Sequence, residues 1–453
     1  MSATVCNHDG LTGGRPASLD RSTLHREPSE LDAYLEKKCD VAAEDAVPEA
    51  VPLHCEDDFP DGGLQAWLVV VGAMCVTFST FGYVNTWGAF QEYYENVMLP
   101  DSSPSTIAWI GSIQYSLVFL PALVVGRLFD LGHFRYPLSA ATVLMVVCTF
   151  LTAECTQYWQ FLLCQGFGIG LSSGIIFGPT MGIVAHWFKK KRSTALGVIA
   201  CGSSVGGTAF PIAFRNLSVS VGFKWTMRIF GFILLCSLGA ANILLKRRLP
   251  PTHVSGGLLN LKQFRMPAYS VYTASGFVAF LGLYTVLTYI DASAPSQGVT
   301  GDLPFYLISI ANVGSGFGRL ASGFAADRVG PLTVMTPFTL LAGVLTFIWP
   351  FVRGYSLIPV AIIYGASSGA FAGLLAAPMM AFGDTADVGR RTGMFMTILS
   401  FGALAGPPIS GAINTASGGY KAVGVYAGSS IMLASAMLFT SRYLVLGGIR
   451  GKI

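Results

Sequence analysis

Within the apolar stretches of this chain one cation stands out. Arg319 lies in a run of apolar and small residues, and an ionisable group in hydrocarbon is costly enough that a functional role is its first reading. A guanidinium suits a planar carboxylate, which it grips through paired hydrogen bonds. The plainer alternative is a structural partner for Asp327 or for a backbone carbonyl. Polar and aromatic residues recur in similar stretches at Asn85, Gln114, Tyr115, Tyr284, Tyr289, Asn312, Tyr364, Ser367 and Ser368. Mostly apolar walls with a few placed polar groups are the make-up of a small-molecule site, although each of these residues taken singly also fits ordinary packing between helices. The chemistry on offer is recognition of an amphipathic organic acid larger than lactate.

Bond-making chemistry finds little support. The chain lacks HExxH, a GxSxG with suitable partners and the phosphate-cradling GxxxxGK[ST]. Acids and histidines avoid the middle of the apolar runs: Glu154, Asp291 and Asp302 fall at ends, and His133 and His186 at boundaries. A site needing paired carboxylates is therefore not expected, nor is a buried proton carrier of the usual kind. The nine cysteines form no CxxC, and Cys75, Cys148, Cys164, Cys201 and Cys236 lie in apolar runs, where they read as small core hydrophobes. We expect neither an enzyme nor a cofactor or metal site, and no nucleic-acid partner.

The elements that must position Arg319 follow from composition. Of 453 residues, 52% are hydrophobic and 11% charged, against roughly 25% charged in a soluble domain. Crossing a bilayer takes about 20 mainly apolar residues, with every backbone polar group bonded inside its own segment. Twelve helical spans fit, near 64–88, 105–127, 136–154, 158–185, 194–215, 226–245, 268–291, 304–325, 332–352, 356–382, 393–413 and 421–445. Residues 1–58 hold 13 of the 24 acids and few large apolar side chains, which is the composition of a disordered tail. With that tail cytoplasmic, inner loops and the C-terminus carry 17 of the remaining 23 Lys and Arg and outer loops five. This bias sets both termini inside.

The two halves repeat one another. Gly126 and Asp130 reappear as Gly323 and Asp327; Gly166, Gly170, Gly174 and Pro179 as Gly365, Gly369, Gly373 and Pro378; Gly197, Gly206 and Pro211 as Gly393, Gly402 and Pro407. The offsets, 197, 199 and 196, agree on one duplication of six spans. Two like-oriented six-helix bundles related by an axis along the membrane normal can rock against each other. The rows of glycine every four residues let another helix approach closely, either as fixed packing or as a sliding surface.

Four stretches carry a family likeness. Gly323-Phe-Ala-Ala-Asp327-Arg328-Val-Gly330, with a looser copy from Gly126 through Asp130 to Arg135, resembles the loop signature of the major facilitator superfamily. Pro60-Asp61-Gly62-Gly63 followed by Trp67, and Trp187-Phe188-Lys189-Lys190-Lys191-Arg192 continuing to Gly202, resemble the two signatures of the monocarboxylate porter family, and Asn85 to Tyr94 is similar to its fungal branch. The resemblance implies an all-α membrane protein of twelve transmembrane helices in the major facilitator fold, working by alternating access. Its domains would be a disordered cytoplasmic tail (1–58), a first bundle (59–248), a cytoplasmic loop (249–266), a second bundle (267–446) and a short cytoplasmic tail (447–453). It further implies that Arg319 holds a substrate carboxylate; Asn85, Tyr284, Tyr289, Asn312 and Tyr364, polar and aromatic groups on spans that should face the cavity, are the further substrate contacts expected. Gly126, Asp130, Gly323, Asp327 and Arg328 would form a conformational latch in which the aspartates pair with arginines across the bundle seam.

The proton-coupled porters carry a lysine and an aspartate where this chain has Asn85 and Ser315, so proton coupling by that route is not expected. Export of a small organic acid or secondary metabolite is the preferred function. Uptake of a monocarboxylate or vitamin is the alternative within transport, and a non-transporting nutrient sensor the alternative of another class. A monomer embedded in the lipid of the plasma membrane completes the expectation.

Overall fold

Long apolar runs can satisfy their N–H and C=O groups in hydrocarbon only internally, and the computed structural model of the chain meets that demand with helices. It describes residues 60–249, 257–299, 301–383, 387–448 and 451, and among them no strand occurs. The expected 1–58 tail and part of the expected 249–266 loop lie outside the described residues.

The series runs α1 (Leu64–Met98), α2 (Ser105–Asp130), α3 (Arg135–Thr152), α4 (Tyr158–Trp187), α5 (Arg192–Ser220), α6 (Gly222–Leu244), α7 (Pro267–Ser293), α8 (Leu303–Val329), α9 (Pro331–Phe351), α10 (Gly354–Ala381), α11 (Val388–Ser417) and α12 (Tyr420–Leu446). Eleven of these are long and apolar enough to cross a membrane; α8, at 27 residues, is long enough but carries Asn312, Arg319, Asp327 and Arg328 among its glycines and serines. The helix lacking the apolar signature is thus the one bearing the candidate cation. The first span continues ten residues past its expected end at Gly88, through Met98. Along that extension Trp87, Gln91 and Glu95 bond in sequence, one turn apart, at 2.8 Å each.

Packing repeats in the two halves. Helix α1 lies on α5 and α6 as α7 lies on α11 and α12; α3 lies on α4 and α6 as α9 lies on α10 and α12; α2 pairs with α4 as α8 pairs with α10. The glycine rows serve these last pairs. A Cβ on Gly174 would sit 2.2 Å from the Leu117 oxygen, and one on Gly365 2.0 Å from that of Ala311. Both rows therefore seat a helix of their own half, which favours fixed packing over a sliding seam. Contact between the halves runs instead through α2 with α11 and α5 with α8.

The two porter-like stretches are neighbours in space. The Asp61 Oδ1 accepts the backbone N–H groups of Lys189, Lys190 and Lys191 at 2.7, 2.7 and 3.2 Å. Trp67 meets the Phe188 ring edge-on at 5.5 Å. A single carboxylate so organises the short turn between α4 and α5, whose amides would otherwise go unbonded ahead of a helix N-terminus. Beyond α3, Glu154 bonds Lys224 and Arg228 of α6 at 2.8 Å each, and these two cations hold its carboxyl below the usual carboxylate range. Of the cysteines read as core, Cys148 is buried, Cys75, Cys164 and Cys201 are half-buried, and Cys236 is exposed. The last reading is thus corrected: a run apolar all round does not tell which face turns inward.

Candidate functional site

Two of the helices break at matching points. Helical order in α1 is interrupted at Asn85 and Thr86, and in α7 at Leu283 and Tyr284. The breaks are 198 residues apart, inside the 196–199 range of the other repeat matches. Each leaves a backbone carbonyl in need of a donor. In α1 the Thr86 hydroxyl donates to the Gly82 carbonyl at 3.2 Å, and in α7 the Tyr364 hydroxyl donates to the Leu283 carbonyl.

Between the breaks lie two adjoining cavities of about 20 and 50 Å³, which share Phe81, Tyr284, Arg319 and Ala372. The smaller carries the polar groups Asn85, Asn312, Ser315 and Ser368. The larger is walled by Phe81, Phe119, Phe177, Phe280, Met181 and Met396. A water needs roughly 10–15 Å³ and a ligand pocket runs to about 300–1,000 Å³. The space thus holds no more than water, and a larger occupant requires the halves to part on at least one side of it.

Arg319 reaches into this space from α8 and is buried. Its Nη1 donates to the Ala200 carbonyl at 2.5 Å and to the Ser203 hydroxyl, both on α5 of the other half. Its Nε is buried with no hydrogen-bond partner, and no ion pair reaches it among the described residues. The plainer expectation, a bond to a carbonyl, is met on one nitrogen only. Asn312 donates to the Gly207 and Ile308 carbonyls, at 3.1 Å each. A Cβ on Gly207 would stand 3.0 Å from both the Asn312 Oδ1 and the Asn85 Nδ2, so the two amides converge over a residue that has no side chain.

Four of the six expected substrate contacts, Arg319, Asn85, Tyr284 and Asn312, therefore share one space. Tyr289 and Tyr364 do not line it. The Tyr289 hydroxyl donates to the Pro407 carbonyl at 3.1 Å, and Tyr364 is spent on the break in α7. A buried phenol takes whichever acceptor is near, and here that is backbone. Of the further candidates, the Gln114 Nε2 and the Tyr115 hydroxyl are buried and have no hydrogen-bond partner among the described residues. The Tyr115 ring stands edge-on to Tyr284 at 4.5 Å, and Phe119 to Phe280 at 5.3 Å, so aromatic pairs span the halves beside the cavity.

The expected latch residues occupy one end of the molecule in twin arrangements. The Asp327 carboxylate accepts the N–H groups of Ser193 and Thr194 at 2.8 and 2.9 Å. The Asp130 carboxylate accepts those of Gly389 and Arg390 at 3.0 and 2.8 Å. In both copies these are the second and third residues of a helix from the opposite half, α5 or α11. The expected arginine partner is thus accompanied or replaced by a helix N-terminus, whose unpaired donors and positive dipole end suit an anion. Glycines allow the approach: a Cβ on Gly126 would lie 2.3 Å from the Gly389 oxygen, and one on Gly323 2.7 Å from that of Ser193. Arg328 is exposed on the last turn of α8. At the opposite end, Arg215 of α5 pairs with Asp302, just ahead of α8, at 2.5 Å.

Residues 69–385 match the Major Facilitator Superfamily. The chain belongs to that superfamily. It is 36% identical over 398 residues to the Aspyridones efflux protein apdF of Emericella nidulans, spanning 86% of this chain and 80% of that one. It is 38% identical over 414 residues to MFS-type transporter 1 of Ophiocordyceps sp., spanning 89% and 91%. Against the Fujikurins efflux protein of Gibberella fujikuroi the identity is 32% over 429 residues, with 92% of each chain spanned. Among solved structures, the human organic anion transporter MFSD10 (TETRAN) superposes with a TM-score of 0.67 at 15% identity, over 83% of this chain and 100% of that one. The Escherichia coli fucose:proton symporter FucP follows at 0.65 and 14%, over 82% and 98%. At such identities the likeness is one of fold.

As a major facilitator the chain is an integral multi-pass transporter, and its central residues take on meaning within that fold. Sequence reasoning missed the phenylalanine wall and Ser203. Among 31 phenylalanines, those facing the cavity and those facing lipid have the same chemistry. No feature of the linear chain singles out either.

Proposed function

We propose that this major facilitator exports a small organic anion, a secondary metabolite with an extended apolar body, by alternating access. The observation that carries the reading is Arg319: a buried guanidinium whose Nε is unbonded and which, among the described residues, has no carboxylate paired to it, in a space lined mostly by aromatic and aliphatic side chains with a few polar ones. Leaving such a charge unmatched is costly, and an anionic ligand removes that cost. The direction draws support from the relatives named as efflux proteins for aspyridones and fujikurins. Asn85 and Ser315 at the proton-coupling positions of the monocarboxylate porters agree with it, and membership of that porter family's fungal branch is part of this proposal.

In the proposed cycle Asn85, Asn312 and Tyr284 join Arg319 at the substrate. Asp130 and Asp327 seat and unseat on α11 and α5 as the bundles 59–248 and 267–446 tilt. Gly126 and Gly323 allow these seats to close, and the exposed Arg328 adds charge beside the second. We assign the Asp327 end to the cytoplasm, with both termini inside, on the Lys and Arg bias, and the chain to the plasma membrane as a monomer. The test compares a deletion strain with its parent by metabolite profiling of cells and medium, with complementation by the wild type and by Arg319→Ala. Export predicts an anionic metabolite retained in the deletion cells, released by the wild type and still retained with Arg319→Ala at equal membrane abundance. The same metabolite building up in the medium of the deletion strain would reverse the direction, and full rescue by Arg319→Ala would remove the anion role.

A further inference from the structure

The guanidinium of Arg319 is divided between two tasks. Its Nη1 is bound to the α5 backbone at Ala200 and to the Ser203 hydroxyl, whereas among the described residues its Nε has no partner and its remaining nitrogen makes no hydrogen bond. An arginine offers a carboxylate two parallel N–H groups from one edge of its fork. Among the described residues the edge formed by Nε and Nη2 carries no hydrogen bond, Nε itself being buried, and the opposite corner is pinned. The pins come from the other half of the molecule, along the seam where α5 and α8 also meet through Gly197, whose Cβ would lie 2.6 Å from the Arg319 oxygen. On the same seam the Cys201 thiol donates to the Gly316 carbonyl at 3.3 Å, and Asp327 accepts from Ser193 and Thr194.

We infer that Ser203 is a positioning residue. With the Ala200 carbonyl it orients the Arg319 fork so that its free edge faces the cavity, and it does so only while the α5–α8 seam is closed. Closure thereby creates the strong form of the anion site, and an anion bound there favours closure in return, since a ligand shifts an equilibrium by its differential affinity for the two states. The inference rests on Arg319 being the anion site and adds the residue that links its geometry to the movement of the halves. A hydroxyl at position 203 has this effect because its oxygen accepts from the cation without bringing a charge of its own, so the guanidinium stays available to the ligand.

The test needs no knowledge of the natural substrate. Phenylglyoxal modifies free guanidinium groups, and the rate at Arg319 is read by peptide mass spectrometry on the purified full chain. Loss of one hydrogen bond to a charged group corresponds to roughly tenfold or more in an equilibrium. Ser203→Ala is expected to raise the rate at Arg319 by about tenfold, and Ser203→Thr, which keeps the hydroxyl, to restore it. Ser116→Ala, which removes a hydroxyl donating at 3.3 Å to the Ser400 carbonyl on the α2–α11 seam, is expected to leave the rate as in the wild type. An unchanged rate in Ser203→Ala, or an equal rise in Ser116→Ala, overturns the inference. A second arm uses 1-naphthoate, a flat monoanion, as protecting probe. Ser203→Ala should raise its half-protecting concentration about tenfold, and an unchanged concentration argues against positioning. Absence of protection in the wild type counts against the anion site itself and leaves the rate comparison standing.

Discussion

Replacing Asp327 with asparagine separates rigid rocking of two halves from local fraying. In the wild type the carboxylate accepts two N–H groups, from Ser193 and Thr194, at the N-terminal turn of α5. Asparagine keeps one carbonyl acceptor, loses the charge and presents a donor where a lone pair is needed. A hydrogen bond to a charged group contributes about 1.5–3 kcal/mol, so losing one of them with the charge costs about 2 kcal/mol. That corresponds to roughly a 30-fold larger open population. Hydrogen exchange of the Ser193 and Thr194 amides reads that population directly, because exchange proceeds through opening. The instructive signal is at the twin seat, the amides of Gly389 and Arg390 held by Asp130. If the halves tilt as rigid bodies, opening one seat opens the other, and exchange at 389–390 should accelerate with that at 193–194. Asp130→Asn should produce the mirror result. Acceleration confined to the mutated seat would refute the coupled latch, whatever became of transport.

Two further outcomes follow from the site. Gly207→Ala puts a methyl group 3.0 Å from both the Asn312 Oδ1 and the Asn85 Nδ2, so it should sharply lower transport while leaving membrane insertion and melting temperature near those of the wild type. Wild-type flux in vesicles would show that the converging amides have no part in the site. Tyr364→Phe strands the Leu283 carbonyl at the break in α7, and an unsatisfied buried group costs about 1–3 kcal/mol. It should therefore lower the melting temperature of the purified protein without changing which substrates compete, and a changed substrate profile at unchanged stability would return Tyr364 to the cavity.

How much could be read in advance depended on whether a feature is local or shared between helices. Run length and the scarcity of charge marked the spans, α8 only by the repeat it completes, because hydrocarbon admits no unpaired backbone. The glycine, proline and aspartate matches identified the duplication, and Arg319 was legible because a cation among apolar residues is conspicuous. Orientation of side chains was not legible. A soluble helix advertises its buried face by contrast with its polar one. Here both faces are apolar, so nothing along the chain distinguishes Phe119 and Phe280, at the cavity, from exposed Phe317 and Phe324. The same ambiguity covers Tyr289 and Tyr364, whose types suit a substrate contact and whose hydroxyls here meet backbone carbonyls.

The amino-acid order by itself pointed to a twelve-span duplicated carrier with one cation well inside a span, since length, hydropathy and repeat spacing are properties of the linear chain. The tertiary structure decided what each polar group meets. It brought Asp61 to three amides more than a hundred residues away, seated Asp130 and Asp327 on helix ends of the opposite halves, and gave Arg319 a pinned corner and an unbonded Nε. Hydrogen bonds and close approach act over a few ångströms in space, and separation along the chain carries no record of them.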